Sequence, residues 1–217
     1  MTRRWLRLAF FFSLAPGVLL AQALAVDVEA GISSTQLTTP DDYWGARTGW
    51  LVGASGSVSF TPWLAFQAGI RVHEKGAAVP GSFEMRLRYL EFPLLARVAT
   101  GRARWPVRPL FAVGFAPARE LSCAERAVPA SIPEAPPPPM RPEDCLNQRT
   151  DLWDFGLVAG VGVQLRLGPL RTALIAQYTH GRHNIASGYP GGFPIHNRAM
   201  AVVASVSLPI WLGRPSN

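Results

Sequence analysis

The chain has 217 residues, a formal net charge of +7 and only two cysteines. Its length fits a single domain. The basic residues are scattered along the chain and form no cluster, which argues against nucleic-acid binding. The glycines lie inside alternating segments, where they leave room beside a strand, and no glycine-rich phosphate loop is present. We therefore expect no cofactor.

The first 25 residues have the layout of a cleaved secretory signal. An apolar run over residues 8–20 leads into two overlapping A-x-A sites, and we expect cleavage after Ala25, with Ala23 as the second choice. A retained membrane helix is the alternative, but it needs about 20 apolar residues, and Pro16-Gly17 interrupts this shorter run. Three positive charges precede the run and leave with the signal, so the mature domain over residues 26–217 carries +4. These charges are Arg3, Arg4 and Arg7.

Eight segments alternate apolar residues with small or polar ones, a period of two that predicts β-strands. In the third segment, Phe66 and Ile70 share one face, while Gln67 and Arg71 share the other. Apolar faces suit lipid and polar faces suit a barrel interior, so we predict an all-β, eight-stranded, antiparallel up-and-down transmembrane β-barrel. A soluble lipocalin-type barrel is the alternative, and it requires polar outward faces. The segments are residues 26–34, 49–60, 64–73, 86–99, 107–116, 153–167, 170–182 and 198–211.

Short and long connections alternate along the chain, as expected for periplasmic turns and outer loops. Pro93 and Pro209 fall inside strands, and we expect a bulge or a missing hydrogen bond at each. The short connections are residues 61–62, 100–106 and 168–169, and the longer ones are 37–48, 75–85, 117–150 and 183–197. Aromatic residues near strand ends fit two interfacial girdles, namely Trp50, Trp63, Trp105, Trp153, Tyr178 and Trp211.

The longest connection, residues 117–150, is rich in proline and contains both cysteines. Seven prolines lie between Pro129 and Pro142 and favour extended polyproline geometry. Because the periplasm is oxidising, we expect Cys123 and Cys145 to form a disulfide, with two free thiols as the alternative.

The inward faces carry charged and amide side chains that we expect to form a structural polar network. Buried charges need partners, so we expect Glu91 to pair with Arg97 or with an arginine on a neighbouring strand. An eight-stranded barrel is just wide enough for side chains to fill, which excludes a wide pore and leaves an ion or proton path as the alternative. The predicted network comprises Glu29, Arg71, Glu91, Arg97, Arg108, Asp154, Gln164, Arg166, Arg171 and Gln177, with Asp27 on the same side.

Histidines near the last hairpin are the strongest candidates for chemistry. His180, His183 and His196 lie near Ser187, but no compact His-x-Ser pair occurs. As metal ligands the three histidines lack a fourth partner at a recognised spacing. We therefore predict neither a catalytic nor a metal site, with a barrel-rim, lipid-modifying enzyme as the alternative function and a narrow channel as the second.

Two strand motifs resemble those of PorT-like outer-membrane β-barrel proteins. The motifs are Tyr89-Leu-Glu-Phe-Pro-Leu-Leu95 and Asp154-Phe-Gly-Leu-Val-Ala-Gly-Val-Gly162, with Tyr178 shortly before Asn184-Ile185. The resemblance spans about residues 26–211 and implies an outer-membrane barrel of mostly unknown biochemical role, whose namesake is linked to a secretion pathway. The chain departs from this pattern in its proline-rich loop with two cysteines and in its non-aromatic C-terminus.

These patterns predict an exported outer-membrane protein of a Gram-negative-type bacterium, with a structural or interaction role. We expect outer-membrane lipid along its strands, a protein partner at its outer loops, no nucleic acid, and a monomeric state.

Cell fractionation tests this assignment. We expect the protein in the outer-membrane fraction, migrating differently on gels before and after boiling, because a folded barrel resists detergent at room temperature. A soluble fraction without that shift would contradict the membrane assignment.

Overall fold

A computed structural model of the chain describes residues 23–38, 45–79, 83–127, 152–168, 170–185 and 194–210. The regular structure within these ranges consists of nine β-strands. None of the described residues belongs to a helix of the length and apolar character needed to cross a membrane. The strands are β1 (Ala23–Thr38), β2 (Arg47–Ser59), β3 (Leu64–Val79), β4 (Phe83–Glu91), β5 (Leu94–Ala99), β6 (Val107–Ala127), β7 (Trp153–Leu167), β8 (Leu170–Gly181) and β9 (His196–Ile210).

The strands form one antiparallel, up-and-down sheet in which neighbours along the chain are neighbours in space. β1 pairs with β2 on one side and with β9 on the other, so the first and last strands are also hydrogen-bonded partners. The predicted all-β, antiparallel, up-and-down architecture is confirmed. We call the end with the connections after β1, β3, β6 and β8 the loop end, and the opposite end the turn end.

β4 and β5 together occupy the fourth predicted strand, residues 86–99, and the break between them falls at Phe92-Pro93. The pairing with β3 keeps one register across the break, with Glu91 opposite Arg71 and Leu94 opposite Ala68. Proline has no N–H to donate, so the ladder loses a bond without gaining a residue. Of the two irregularities expected at Pro93, the missing bond is therefore the one present.

The register elsewhere separates proline from bulge. Pro209 lies opposite Ala25 in an unbroken pairing of β1 with β9, so no residue is inserted there. The register shift between β4 and β6 instead lies between Arg88 and Tyr89, away from both prolines.

Several strands run further at the loop end than the apolar alternation predicted. β3 continues to Val79 and β4 begins at Phe83, so the connection predicted over residues 75–85 shortens to 80–82. β6 runs to Ala127, inside the segment predicted as the loop 117–150. Apolar alternation stops where a strand leaves the apolar belt, whereas backbone pairing continues beyond it. At the other end β1 begins at Ala23, within the predicted signal, whose first 22 residues lie outside the described part of the chain.

The two faces of the sheet have opposite chemistry. On β1, Val28 and Ile32 are 55% and 67% exposed, while Asp27 between the same strand's apolar residues is completely buried. The predicted girdle residues Trp50, Trp63, Trp105, Trp153 and Tyr178 are all exposed, and Trp211 lies outside the described residues. The exposed face is thus an apolar belt, and the polar side chains are turned inward.

The interior is layered from one end to the other. Its loop end is filled by an apolar cluster that includes Tyr89 and Ile185, its middle by charged groups, and its turn end by an arginine-lined recess. Cys123 is buried in the apolar layer, but Cys145 lies outside the described residues, so the disulfide remains a prediction. The apolar layer comprises Leu37, Ala77, Met85, Leu87, Tyr89, Ala118, Cys123 and Ile185.

Glycines on the strands provide the room that these interior side chains need. A Cβ atom added at Gly53 would lie 2.4 Å from the Cβ of Arg71, and one at Gly156 would lie 2.6 Å from Cγ2 of Thr179. By contrast, a Cβ atom at Gly56, on the same strand as Gly53, would meet nothing within 4 Å.

Alanine at Gly53 should therefore destabilise the protein by about 1–3 kcal/mol, the usual cost of an overpacked site. Gly56→Ala is the matched control on the same strand, and we expect it to change stability little. Urea unfolding of the refolded protein, followed by the heat-modifiable gel shift, measures both variants. Equal midpoints for the two variants would refute the argument from interior space.

Candidate functional site

The middle of the interior holds ionisable side chains brought together from four strands. We call this group the central cluster. β3 contributes three cationic or titratable residues, β4 contributes a carboxylate and a phenol, and β7 and β9 contribute one residue each. Its members are Arg71, His73, Lys75, Tyr89, Glu91, Asp154 and Asn197, and every one of them is buried.

Strand geometry explains why three basic groups converge on one acid. Arg71, His73 and Lys75 are separated by two residues each, so all three side chains point to the same face of β3. Arg71 is directly opposite Glu91 in the pairing of β3 with β4. Side chains directly opposite on antiparallel strands are close enough to interact, so the register alone places this ion pair.

Glu91 is the centre of the cluster, and its carboxylate is completely buried. Its Oε2 atom accepts a hydrogen bond from Nε of Arg71 at 2.6 Å. Its Oε1 atom lies 2.7 Å from Nζ of Lys75 and 3.1 Å from Nδ1 of His73. A buried carboxylate is costly unless it is paired and hydrogen-bonded, and here both oxygens have partners.

Contacts of Arg71 and His73 extend the cluster across the interior. Nη1 of Arg71 donates to Oε1 of Gln177 on β8 at 3.2 Å and lies 3.9 Å from Oε1 of Glu29 on β1. Nε2 of His73 lies 3.1 Å from Oγ of Ser33, also on β1. The cluster thereby joins β3 and β4 to strands on the far side of the sheet.

A second set of contacts connects the cluster to β7 and β9. Nζ of Lys75 is 3.7 Å from Oδ2 of Asp154 and 5.1 Å from the centre of the Tyr89 ring, a distance at which a cation attracts an aromatic face. Nδ2 of Asn197 donates to Oδ2 of Asp154 at 2.9 Å and to the Tyr89 hydroxyl oxygen at 3.2 Å. Asn197 therefore holds the acid of β7 beside the phenol of β4.

Arg97, the other partner considered for Glu91, takes a different place. Its Nη1 atom donates to Oε1 of Gln67 at 3.2 Å, and Nε2 of Gln67 donates to Oγ of Ser55 at 2.6 Å. Asp27 accepts a hydrogen bond from the Ser207 hydroxyl. The arginine that meets Glu91 is thus the one on the neighbouring strand, Arg71.

The structure places four predicted network residues at the turn end, away from the central cluster. Arg108 donates to three backbone carbonyls there, those of Pro62, Ala99 and Thr100. Gln164 is half-buried, while Arg166 and Arg171 are exposed, which corrects the prediction that both are buried network members. These two arginines flank the short turn between β7 and β8, where the sheet extends past the packed interior.

Three members of the central cluster were not among the predicted site residues. Lys75 and Asn197 were assigned to connections, because the apolar alternation ends before them, and His73 was placed inward without a role. The structure includes all three in strands β3 and β9. A period-two pattern of basic residues at Arg71, His73 and Lys75 is the sequence signal that pointed to them.

The remaining histidines contact groups other than a nucleophile or a metal. His180 stacks on Tyr178 with ring centres 6.4 Å apart, and Nδ1 of His196 lies 3.0 Å from the backbone carbonyl oxygen of His183. Ser187 lies outside the described residues. Within the described part of the chain, no three metal-ligating side chains gather closely enough to hold an ion.

A smaller ion cluster lies at the loop end. Arg47 donates through Nη2 to Glu74 and through Nε to Glu84, both at 2.7 Å. The Glu84 side chain is 23% exposed, in contrast to the buried Glu91. These pairs connect the ends of β2, β3 and β4.

An antiparallel sheet with an apolar outer face and a charged interior is the arrangement of outer-membrane barrels. Residues 20–187 match the family model described as "Outer membrane protein beta-barrel domain", and the chain belongs to that family. No curated protein matches the chain.

Solved structures with a similar fold include three outer-membrane barrels. Neisserial surface protein A is 11% identical, covers 84% of this chain and 97% of its own, and has a TM-score of 0.48. The outer membrane enzyme PagL is 12% identical, covers 85% and 99%, and also has a TM-score of 0.48. Ail, the attachment invasion locus protein of Yersinia pestis, is 9% identical, covers 86% and 100%, and has a TM-score of 0.44.

Replacing Glu91 with glutamine should destabilise the protein by about 3–5 kcal/mol, because it leaves three buried basic groups without their acid. Glu84→Gln at the partly exposed cluster is the matched control and should cost about 0–1 kcal/mol. Equilibrium urea unfolding in detergent micelles measures both. If Glu91→Gln were as stable as the control, the central cluster would not be the main support of the interior.

Proposed function

We propose that this protein is a closed, eight-stranded transmembrane β-barrel of the Gram-negative outer membrane, exported with a cleaved signal over residues 1–25. Closure is supported by the pairing of β1 with β9 over most of both strands. The count of eight is supported by the unbroken register across Pro93, which makes β4 and β5 two halves of one strand. The family assignment supports the location.

The role we propose is structural or interaction-based, and the observation that carries it is the buried pairing of Glu91 with Arg71, His73 and Lys75. These side chains occupy the middle of the interior and are connected to β1, β7, β8 and β9. An eight-stranded barrel leaves an interior just wide enough for such filling. The apolar layer around Ile185 adds a second barrier at the loop end. The interior is therefore a packed core and supports the wall instead of conducting solute.

The contact surfaces in this proposal follow from the exposed face. The apolar belt contacts outer-membrane lipid through residues such as Ile32 and Phe66. Above the belt, β3, β4 and β6 continue toward the loop end and carry exposed Arg86 and Arg88. This projecting wall, together with the connection that follows Ala127, is the surface we propose for a protein partner of the monomeric barrel.

We further propose the PorT-like subfamily as the nearest relationship. Its two strand motifs supply three members of the central cluster, Tyr89 and Glu91 from one and Asp154 from the other. Ile185, from the third resemblance, fills the apolar layer. The residues that carry the resemblance are thus those that build the interior. No enzymatic step is part of the proposal.

Planar-bilayer recording tests the packed interior. We expect the purified protein to insert without long-lived conductance steps, because the central cluster occupies the only route between the ends that a wide pore would use. A general porin inserted in the same bilayers is the positive control. Stable, ohmic steps from the wild-type protein would contradict the structural role and favour the narrow channel.

A further inference from the structure

The turn end of the interior contains a recess that the proposed function does not use, which we call the vestibule. It consists of two adjoining cavities of about 60 and 240 Å³, which share Arg108, Gln164 and Arg171 in their walls. A water molecule needs only about 10–15 Å³ measured in this way, so the larger cavity accommodates several waters or a small anion. The polar residues of the walls are Ser57, Ser59, Thr61, Arg97, Arg108, Gln164, Arg166, Arg171 and Ser207.

The charge of the vestibule has one sign only. Four arginines line it, and none of its described lining residues is acidic. Elsewhere in the interior arginine meets acid, as Arg71 does with Glu91. Asp27, which is close to the vestibule, is fully buried and bonded by the Ser207 hydroxyl, and it does not line the cavity.

Strand register brings these charges together. Arg166 on β7 and Arg171 on β8 are directly opposite each other, and Arg108 on β6 is opposite Gln164, the next residue on the same face of β7. Like charges directly opposite on neighbouring strands destabilise a sheet. An anion between them removes that repulsion.

Arg108 is held in place before any ligand arrives. Its Nη1 atom donates to the Pro62 carbonyl at 2.9 Å and its Nε atom to the Thr100 carbonyl at 3.2 Å, while Nη2 bonds the Ala99 carbonyl. These bonds fix a positive charge in the wall of both cavities. Arg166 and Arg171 are exposed and free to adjust around a ligand. A fixed cation with two adjustable guanidinium forks suits an oxyanion with several acceptor oxygens.

We propose that the vestibule binds a multiply charged oxyanion of the phosphate class that enters from the turn end. Guanidinium groups match phosphate bidentately, and serine and threonine hydroxyls around the walls supply further donors. The central cluster lies beyond the vestibule, so the anion binds and leaves by the same opening. Two sources share this chemistry, a soluble phosphate and the phosphate of a phospholipid headgroup.

Tryptophan fluorescence reports on the site, because Trp63 and Trp105 line the vestibule. Refolded protein in a non-ionic, phosphate-free detergent is titrated with inorganic phosphate and pyrophosphate at constant ionic strength, with chloride as the reference salt. We expect saturable changes, with pyrophosphate bound more tightly. Arg166→Gln and Arg171→Gln should each weaken binding at least tenfold. Arg182→Gln removes an exposed arginine at the loop end and should leave binding unchanged.

A second arm separates the two sources. The same variants are placed in nanodiscs of phosphatidylcholine or phosphatidylglycerol and titrated again. If phosphatidylglycerol abolishes the phosphate response in the wild type, the headgroup is the occupant, and an unchanged response assigns the site to a soluble anion. Each variant is first checked for the heat-modifiable gel shift, so that loss of folding is not read as loss of binding. Absence of saturation, or equal weakening by Arg182→Gln, overturns the proposal.

This outcome is separate from the proposed function. A barrel that conducts would contradict the packed interior, whereas the vestibule can bind an anion whether or not the middle conducts.

Discussion

The interior of this barrel depends on the compensation of one buried carboxylate. Glu91 has no exposed surface, and water cannot supply its hydrogen bonds. Arg71, His73 and Lys75 supply them from the neighbouring strand, at 2.6–3.1 Å. Because removing one partner of a buried ion pair leaves a charge that nothing else neutralises, the register of β3 against β4 is constrained by far more than the backbone ladder. A slip by one residue would turn all four side chains toward lipid.

A barrel in lipid inverts the usual distribution of side chains, and this inversion explains the layers of the interior. Hydrocarbon outside requires apolar side chains on the outer face, so the charged residues of each strand share the inside. Glycines such as Gly53 make the space in which Arg71 lies. At the turn end the interior is no longer packed, and arginines that have no acidic partner in the wall face a water-accessible recess. Packed neutralised charge and open uncompensated charge therefore lie within one barrel and suit different roles, support in the middle and binding at the end.

Particular residues show how far the sequence predicted the fold and the candidate site. Alternation from Trp153 to Leu167 predicted β7 with the bounds that the structure has, because both ends of that strand remain in or near the apolar belt. The same rule ended the third strand near His73, although β3 continues to Val79, because Glu74 and Gly76 interrupt the apolar face while backbone pairing goes on. Lys75 was consequently assigned to a loop. Arg166 and Arg171 were predicted on the inward face, and the structure adds that the inward face at that height borders an open recess.

The sequence by itself determined the strand faces, the antiparallel order and the membership of most charged residues in the interior, since these follow from a local period of two. Only the tertiary structure decided which charges meet. The partner of Glu91 is Arg71 and not Arg97, which bonds Gln67 instead, and Asn197 reaches Asp154 and Tyr89 from strands far away in the chain. The physical reason is that alternation reports the side of a strand on which a residue lies, while the height of one strand against the next is set by pairing between distant segments. That height separates a compensated carboxylate in the core from a row of uncompensated arginines at the turn end.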